Sequence, residues 1–273
     1  MNQPVSEEPA EQADKVAQDA DLSSTVAKLT EDDLEQTSRT RLLTRLVRDQ
    51  VRERGAKALV KPKEAIRWMV QAVTSVAPHI PVRDLATLRE HFDGLEGDAL
   101  ADRLVRNAAR TTAGIGAAGG GVAAVEWVAT PTLLTAPVLL AAETVAVVAV
   151  EMKLIGELHE VYGQPVPGNR AQRATALVQA WAGRRGVNPL AAGRGIAATL
   201  GIAARKELRD RLIRRFGRNL GTLGPFLTGA AVAGYLNRRA TLSLAEDIRR
   251  DLTRYAASRA IEGRTGQRMI EAS

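Results

Sequence analysis

Apolar residues recur at helical spacing along most of the chain. Between Thr40 and Val60, Leu43, Val47 and Val51 stack at i, i+4 intervals, and Leu42 and Leu46 widen the stripe. Arg41, Arg45, Arg48 and Arg52 repeat with the same period on a neighbouring face. Glu53 stands four residues before Lys57, the favourable order for a helical ion pair. Lys61-Pro62 stops this helix, and Glu64–Ala77 predicts another with Ile66, Met69, Val70 and Val73 turned inward. Pro78 and Pro81 break it, and shorter helices are expected at Asp84–Phe92 and Gly97–Arg110. Further helices are expected over 171–182, 189–218 and 241–257. Nothing reads as a strand, so the predicted fold is all-α, a multi-helix bundle.

The middle of the chain changes character. No basic residue lies between Arg110 and Lys153, and the charges there are Glu126, Glu143 and Glu151. The pattern predicts two apolar helices, about 112–128 and 132–150, folded as a glycine-rich hairpin around Thr130-Pro131-Thr132. Gly116 and Gly120 are spaced to let two helix backbones approach closely, and Gly229 and Gly234 in a later glycine-rich segment suit the same use. These two segments are expected to pack near one another. Each arm is barely the ~20 residues that a bilayer requires, and Glu143 falls within the second. The hairpin can therefore span, insert reversibly or sit in a bundle core. A second candidate for membrane contact is the uncharged run Asn219–Asn237, which carries Pro225 and lies between basic stretches.

Charge is unevenly placed along the chain. The 273 residues carry a formal +7, yet residues 1–36 hold ten acids against two lysines. That segment is expected to be a disordered acidic tail over 1–37, solubilising or folded back as an electrostatic shield. Order is expected from Thr30 onward, with Thr30 capping a helix. A basic helical region is assigned to 38–110, a core to 111–260 and a flexible tail to 261–273. A second arginine cluster, which includes Arg205, Arg209, Arg214 and Arg215, follows in the C-terminal half. Aromatics make up 3% of the chain, too few for a base-stacking surface. With no cysteine and three histidines, thiolate or multi-histidine metal sites are not expected.

Candidate chemistry is sparse. Gly114, Gly116 and Gly119 match a dinucleotide fingerprint, but the residues before them are helical in pattern, so nucleotide binding is rejected. His159 reads as a surface histidine beside a carboxylate. Glu126 and Glu143 are the acids of most interest. Their apolar neighbours predict burial, with a structural ion pair the plainest role.

Several features together resemble the EcsC family of bacterial proteins. They are Asp102 to Arg110, Gly114-Ile115-Gly116-Ala117-Ala118-Gly119-Gly120, Glu143 through Glu157, Tyr162-Gly163, and the run from Leu223 to Asn237. The likeness covers about residues 60–255. It implies an all-helical fold and a membrane-linked role, and it supplies no catalytic residues. The acidic segment and the arginine-rich helix depart from it.

The expectation is therefore a non-enzymatic, cytoplasmic, membrane-associated protein without a cofactor. Its arginine faces would meet an anionic membrane surface or a membrane protein. The alternatives are a nucleic-acid-associated protein using the same arginines on phosphates, and an enzyme with a pocket near Glu126 and Glu143.

Overall fold

The computed structural model describes residues 8–54, 62–129, 136–183, 206, 209–214 and 230–271. The described elements, in chain order, are α1 (Glu8–Leu29), α2 (Gln36–Arg54), α3 (Pro62–Val76), a 3-10 turn (Ala77–His79), α4 (Leu85–His91), α5 (Gly97–Ala129), α6 (Ala136–Val161), α7 (Arg170–Gly183) and α8 (Ala230–Glu271). Residues 209–214 are also helical, and no strand occurs among the described residues.

The bundle is organised around α6. Every residue from 138 to 159 is buried. A helix apolar on all sides cannot rest on a surface, and α6 is touched by α1, α2, α3, α4, α5, α7 and α8. The surrounding helices contact one another in the sequence α8, α5, α2, α1, α3, α7. The most extensive pairing is between α5 and α8. Gly116 meets Ala233 and Asn237, Thr112 meets Thr241, and Asp102 meets Arg249, so the two helices run antiparallel.

Periodicity located several elements well. α3 buries Ile66, Met69 and Val73 as expected, while Val70 is only partly buried. Asp84 caps α4 by accepting from the Thr87 amide at 2.8 Å.

Other expectations are corrected. The acidic segment is not disordered over 8–29 but forms α1, with Val26 and Leu29 fully buried. Leu22, Val26 and Leu29 form an apolar stripe that the acidic composition conceals. Thr30 caps no helix start. It closes the end of α1, its hydroxyl donating to the Ala27 carbonyl at 2.7 Å. The first hairpin arm is not a separate helix, because Gly97–Arg110 continues through it as the single helix α5. The boundary expected at 110–111 thus falls inside a helix. Likewise α8 is helical from Ala230, past Gly234, and on to Glu271, where a flexible tail was expected. Glycine disfavours a helix interior by ~1 kcal/mol relative to alanine, which close backbone packing offsets here. α5 and α6 do pack on one another, while the turn at 130–135 lies outside the described residues. Among the described residues, no helix is long and apolar enough to cross a membrane.

Candidate functional site

The glycines set how closely the helices approach. A Cβ on Gly116 would lie 2.7 Å from the Ala233 carbonyl oxygen, and one on Gly234 would lie 2.8 Å from that of Ala113. The two glycine-rich segments therefore meet backbone to backbone, as expected. Gly229 lies outside the described residues, as do the surroundings of Gly120. Gly119 clears space of another kind: a Cβ there would sit 2.5 Å from Glu143 Oε2. The Gly114, Gly116 and Gly119 run lies within α5, with helix on both sides.

Beneath these glycines lies a polar interior that is mostly anchored on α6. Glu143 is buried and accepts from Asn237 Nδ2 at 2.7 Å. Two turns on, Glu151 accepts from the Trp181 indole at 2.7 Å, and Thr241 Oγ1 lies 3.0 Å away. Arg211 stacks its guanidinium 4.4 Å over the Trp181 ring and donates to the Ala182 carbonyl. One carboxylate thus ties α7 and α8 to the central helix. The burial expected of Glu143 is observed. The side-chain surroundings of Glu126 lie outside the described residues.

Further along α6, four charges share one site. Arg83 grips Glu157 through Nε at 2.7 Å and Nη2 at 3.1 Å, and reaches Asp32 at 3.0 Å. Lys153 stands 3.6 Å from Asp32 and donates to the Thr30 carbonyl at 3.2 Å. Burial pushes the Glu157 carboxyl up, against the pull of Arg83 and Lys153. Burial also works against the Arg83 charge, but Glu157 and Asp32 outweigh it and hold the guanidinium more firmly protonated. The two directions pull apart across one pair; the two-point geometry favours the ionised form. Arg39 is buried as well and donates to the carbonyls of Leu29 and Leu34. Burial lowers its pKa, against the charges of Asp32 and Glu31. Arg39 and Lys153 therefore serve the carbonyl end of α1 and the turn after it, where cations suit the helix dipole.

His159 is not at the surface. It is 1% exposed, with Nδ1 2.9 Å from the Gln164 carbonyl, and burial lowers its pKa. Nearby, Arg249 contacts Asp102 at 2.6 Å, Asp98 at 3.2 Å and the Tyr162 hydroxyl at 3.0 Å. It fastens α8 to α5 and to the turn that ends α6.

The arginine candidates lie on the outside. α2 buries Leu43, Leu46, Val47 and Gln50, while Arg41, Arg45, Arg48 and Arg52 are exposed. Arg45 pairs with Asp21 of α1 at 3.1 Å and with Asp49 at 3.6 Å. The acidic helix thus reaches the basic one at a single described ion pair. Arg41, Arg48 and Arg52 have no ion-pair partner among the described residues. Arg209 is exposed beside Asp210, and Arg214 is exposed, whereas Arg205 and Arg215 lie outside the described residues. Among the described residues, no cluster of three or more metal-ligating side chains occurs.

Comparison with known proteins finds no matching family model, curated protein or solved structure.

Proposed function

We propose that this is a non-enzymatic helical protein of the cytoplasm that associates with anionic membrane surfaces. The observation that carries the reading is the division of α2, which buries Leu43, Leu46 and Val47 while Arg41, Arg45, Arg48 and Arg52 face outward. The buried Glu157 charge is matched by cations held at fixed distances. The guanidinium groups of Arg41, Arg45, Arg48 and Arg52 instead stand in water, where lipid phosphate can reach them. The resemblance to the EcsC family favours the same membrane-linked role. Glu143 and Glu151 are bound to neighbouring side chains in the interior, an arrangement that suits structural support more than acid–base chemistry.

The test is sedimentation of the full chain with vesicles of phosphatidylcholine alone or mixed with phosphatidylglycerol, across a salt series. Binding is expected on the anionic vesicles only and should weaken as salt rises. Replacing Arg41, Arg45, Arg48 and Arg52 together with glutamine should remove most of it. Duplex DNA is run alongside; retention on DNA but not on vesicles would replace this reading with nucleic-acid association.

A further inference from the structure

α8 carries an exposed apolar strip that core packing does not explain. Val232, Tyr235, Leu236 and Leu242 are 36%, 57%, 39% and 37% exposed. At about 3.6 residues per turn they lie on one side of the helix, opposite Gly234, Asn237 and Thr241, which face the interior. Arg239 falls within this strip and Arg238 at its edge, and both are exposed. No acidic residue occurs from Ala230 to Ala245. An outward face that is both apolar and cationic is the composition of an interfacial helix.

The neighbouring helix continues the pattern. α5 exposes Arg103, Arg106 and Arg110, spaced to share one side. α5 packs on both α2 and α8, so the outward sides of the three helices adjoin. Nearby acids are already engaged: Asp98 and Asp102 with Arg249, Glu246 and Asp247 with Arg250.

Resting on the membrane reading above, we infer that the lipid-contact face extends from α2 across α5 to α8. On this face the apolar strip of α8 enters the headgroup boundary while the arginines meet lipid phosphate. Tyrosine suits that depth, with an apolar ring and a hydroxyl that stays hydrated. A second copy of the chain fits less well, because it would set Arg238 and Arg239 against their own kind. A phosphate polymer would leave Val232 and Leu236 without apolar partners.

The chain has no cysteine, so one introduced thiol can carry one label. Tyr235→Cys and, as a control on exposed α4, Glu90→Cys are each labelled with an environment-sensitive fluorophore. With vesicles containing phosphatidylglycerol, the label at 235 should shift its emission to the blue, and the label at 90 should not. The double variant Val232→Ser with Leu236→Ser should melt like the parent and need about tenfold more lipid for half-binding. A parent that binds these vesicles while the label at 235 stays in water would overturn the inference and leave the α2 reading standing. A parent that binds no vesicles would overturn that reading and the inference together. A shift at 235 that grows with protein concentration without lipid would assign the strip to a second copy and also overturn the inference.

Discussion

Helices α6 and α2 both repeat charged residues at helical spacing, and they place them in opposite surroundings. On α6, Glu143, Glu151, Lys153 and Glu157 are all buried, each held by a residue from another part of the chain. On α2 the row Arg41, Arg45, Arg48 and Arg52 is exposed, and the described ion pairs of that row involve Arg45 alone. A buried charge is tolerated only where its partners are fixed, whereas an exposed one is screened by water and remains available to a ligand. The comparison teaches that interior charge holds this bundle together, while exterior charge leaves its stability almost untouched.

The sharpest way to break the comparison is to remove one interior charge. Glu157→Leu leaves Arg83 and Lys153 together with Asp32 as their shared acid. Breaking a buried pair in this way costs about 3–5 kcal/mol. Urea unfolding should move to much lower denaturant, and a variant unfolding like the parent would show that the site contributes little.

A smaller effect is expected at the contact of α5 and α8. Gly116→Ala drives a methyl against the Ala233 backbone, which cannot swing aside as a side chain can. A loss of about 1–3 kcal/mol is expected, despite the better helix propensity of alanine. Gly114→Ala meets first the exposed side chain of Gln36, which can move, and should be tolerated better. Equal midpoints for the two variants would contradict the close packing.

The smallest effect is carried by pH. His159 is held neutral by burial, while in the unfolded chain it takes up a proton near 6.5. Its contribution is therefore complete above that value and falls as pH drops through it. Glu160, raised chiefly by burial, acts in the opposite sense, gaining stability as pH falls toward 4.5. The difference between parent and His159→Gln isolates the histidine, since glutamine can still donate to the Gln164 carbonyl. Between pH 7 and the acid limb, the variant should lose less stability than the parent. Parallel curves would mean that the buried imidazole is not the titrating group.

Much of this fold was legible locally, and the partners of its interior charges were not. α3 follows from apolar spacing, the start of α4 from the breaks at Pro78 and Pro81, and the burial of Glu143 from its apolar neighbours. α1 is hidden because the ten acids of residues 1–36 outweigh a three-residue stripe in any average. Its carbonyl end is also satisfied by Arg39 and Lys153, one of them more than a hundred residues away. The Arg83 cluster unites Asp32, Arg83, Lys153 and Glu157, which share no motif and meet only after the helices pack. His159 was misplaced for the same reason. The spacing of Gly116 and the later Gly234 already marked where two helices touch.

The central claim is that stability resides within the bundle and surface affinity on its arginine face. It is tested most directly by one quadruple variant, Arg41, Arg45, Arg48 and Arg52 to glutamine, measured for melting and for binding to phosphatidylglycerol vesicles. The account predicts a melting temperature close to the parent's and an affinity weakened on the order of a hundredfold at low salt. A variant that binds as tightly as the parent, or one that unfolds while the parent stays folded, would contradict it.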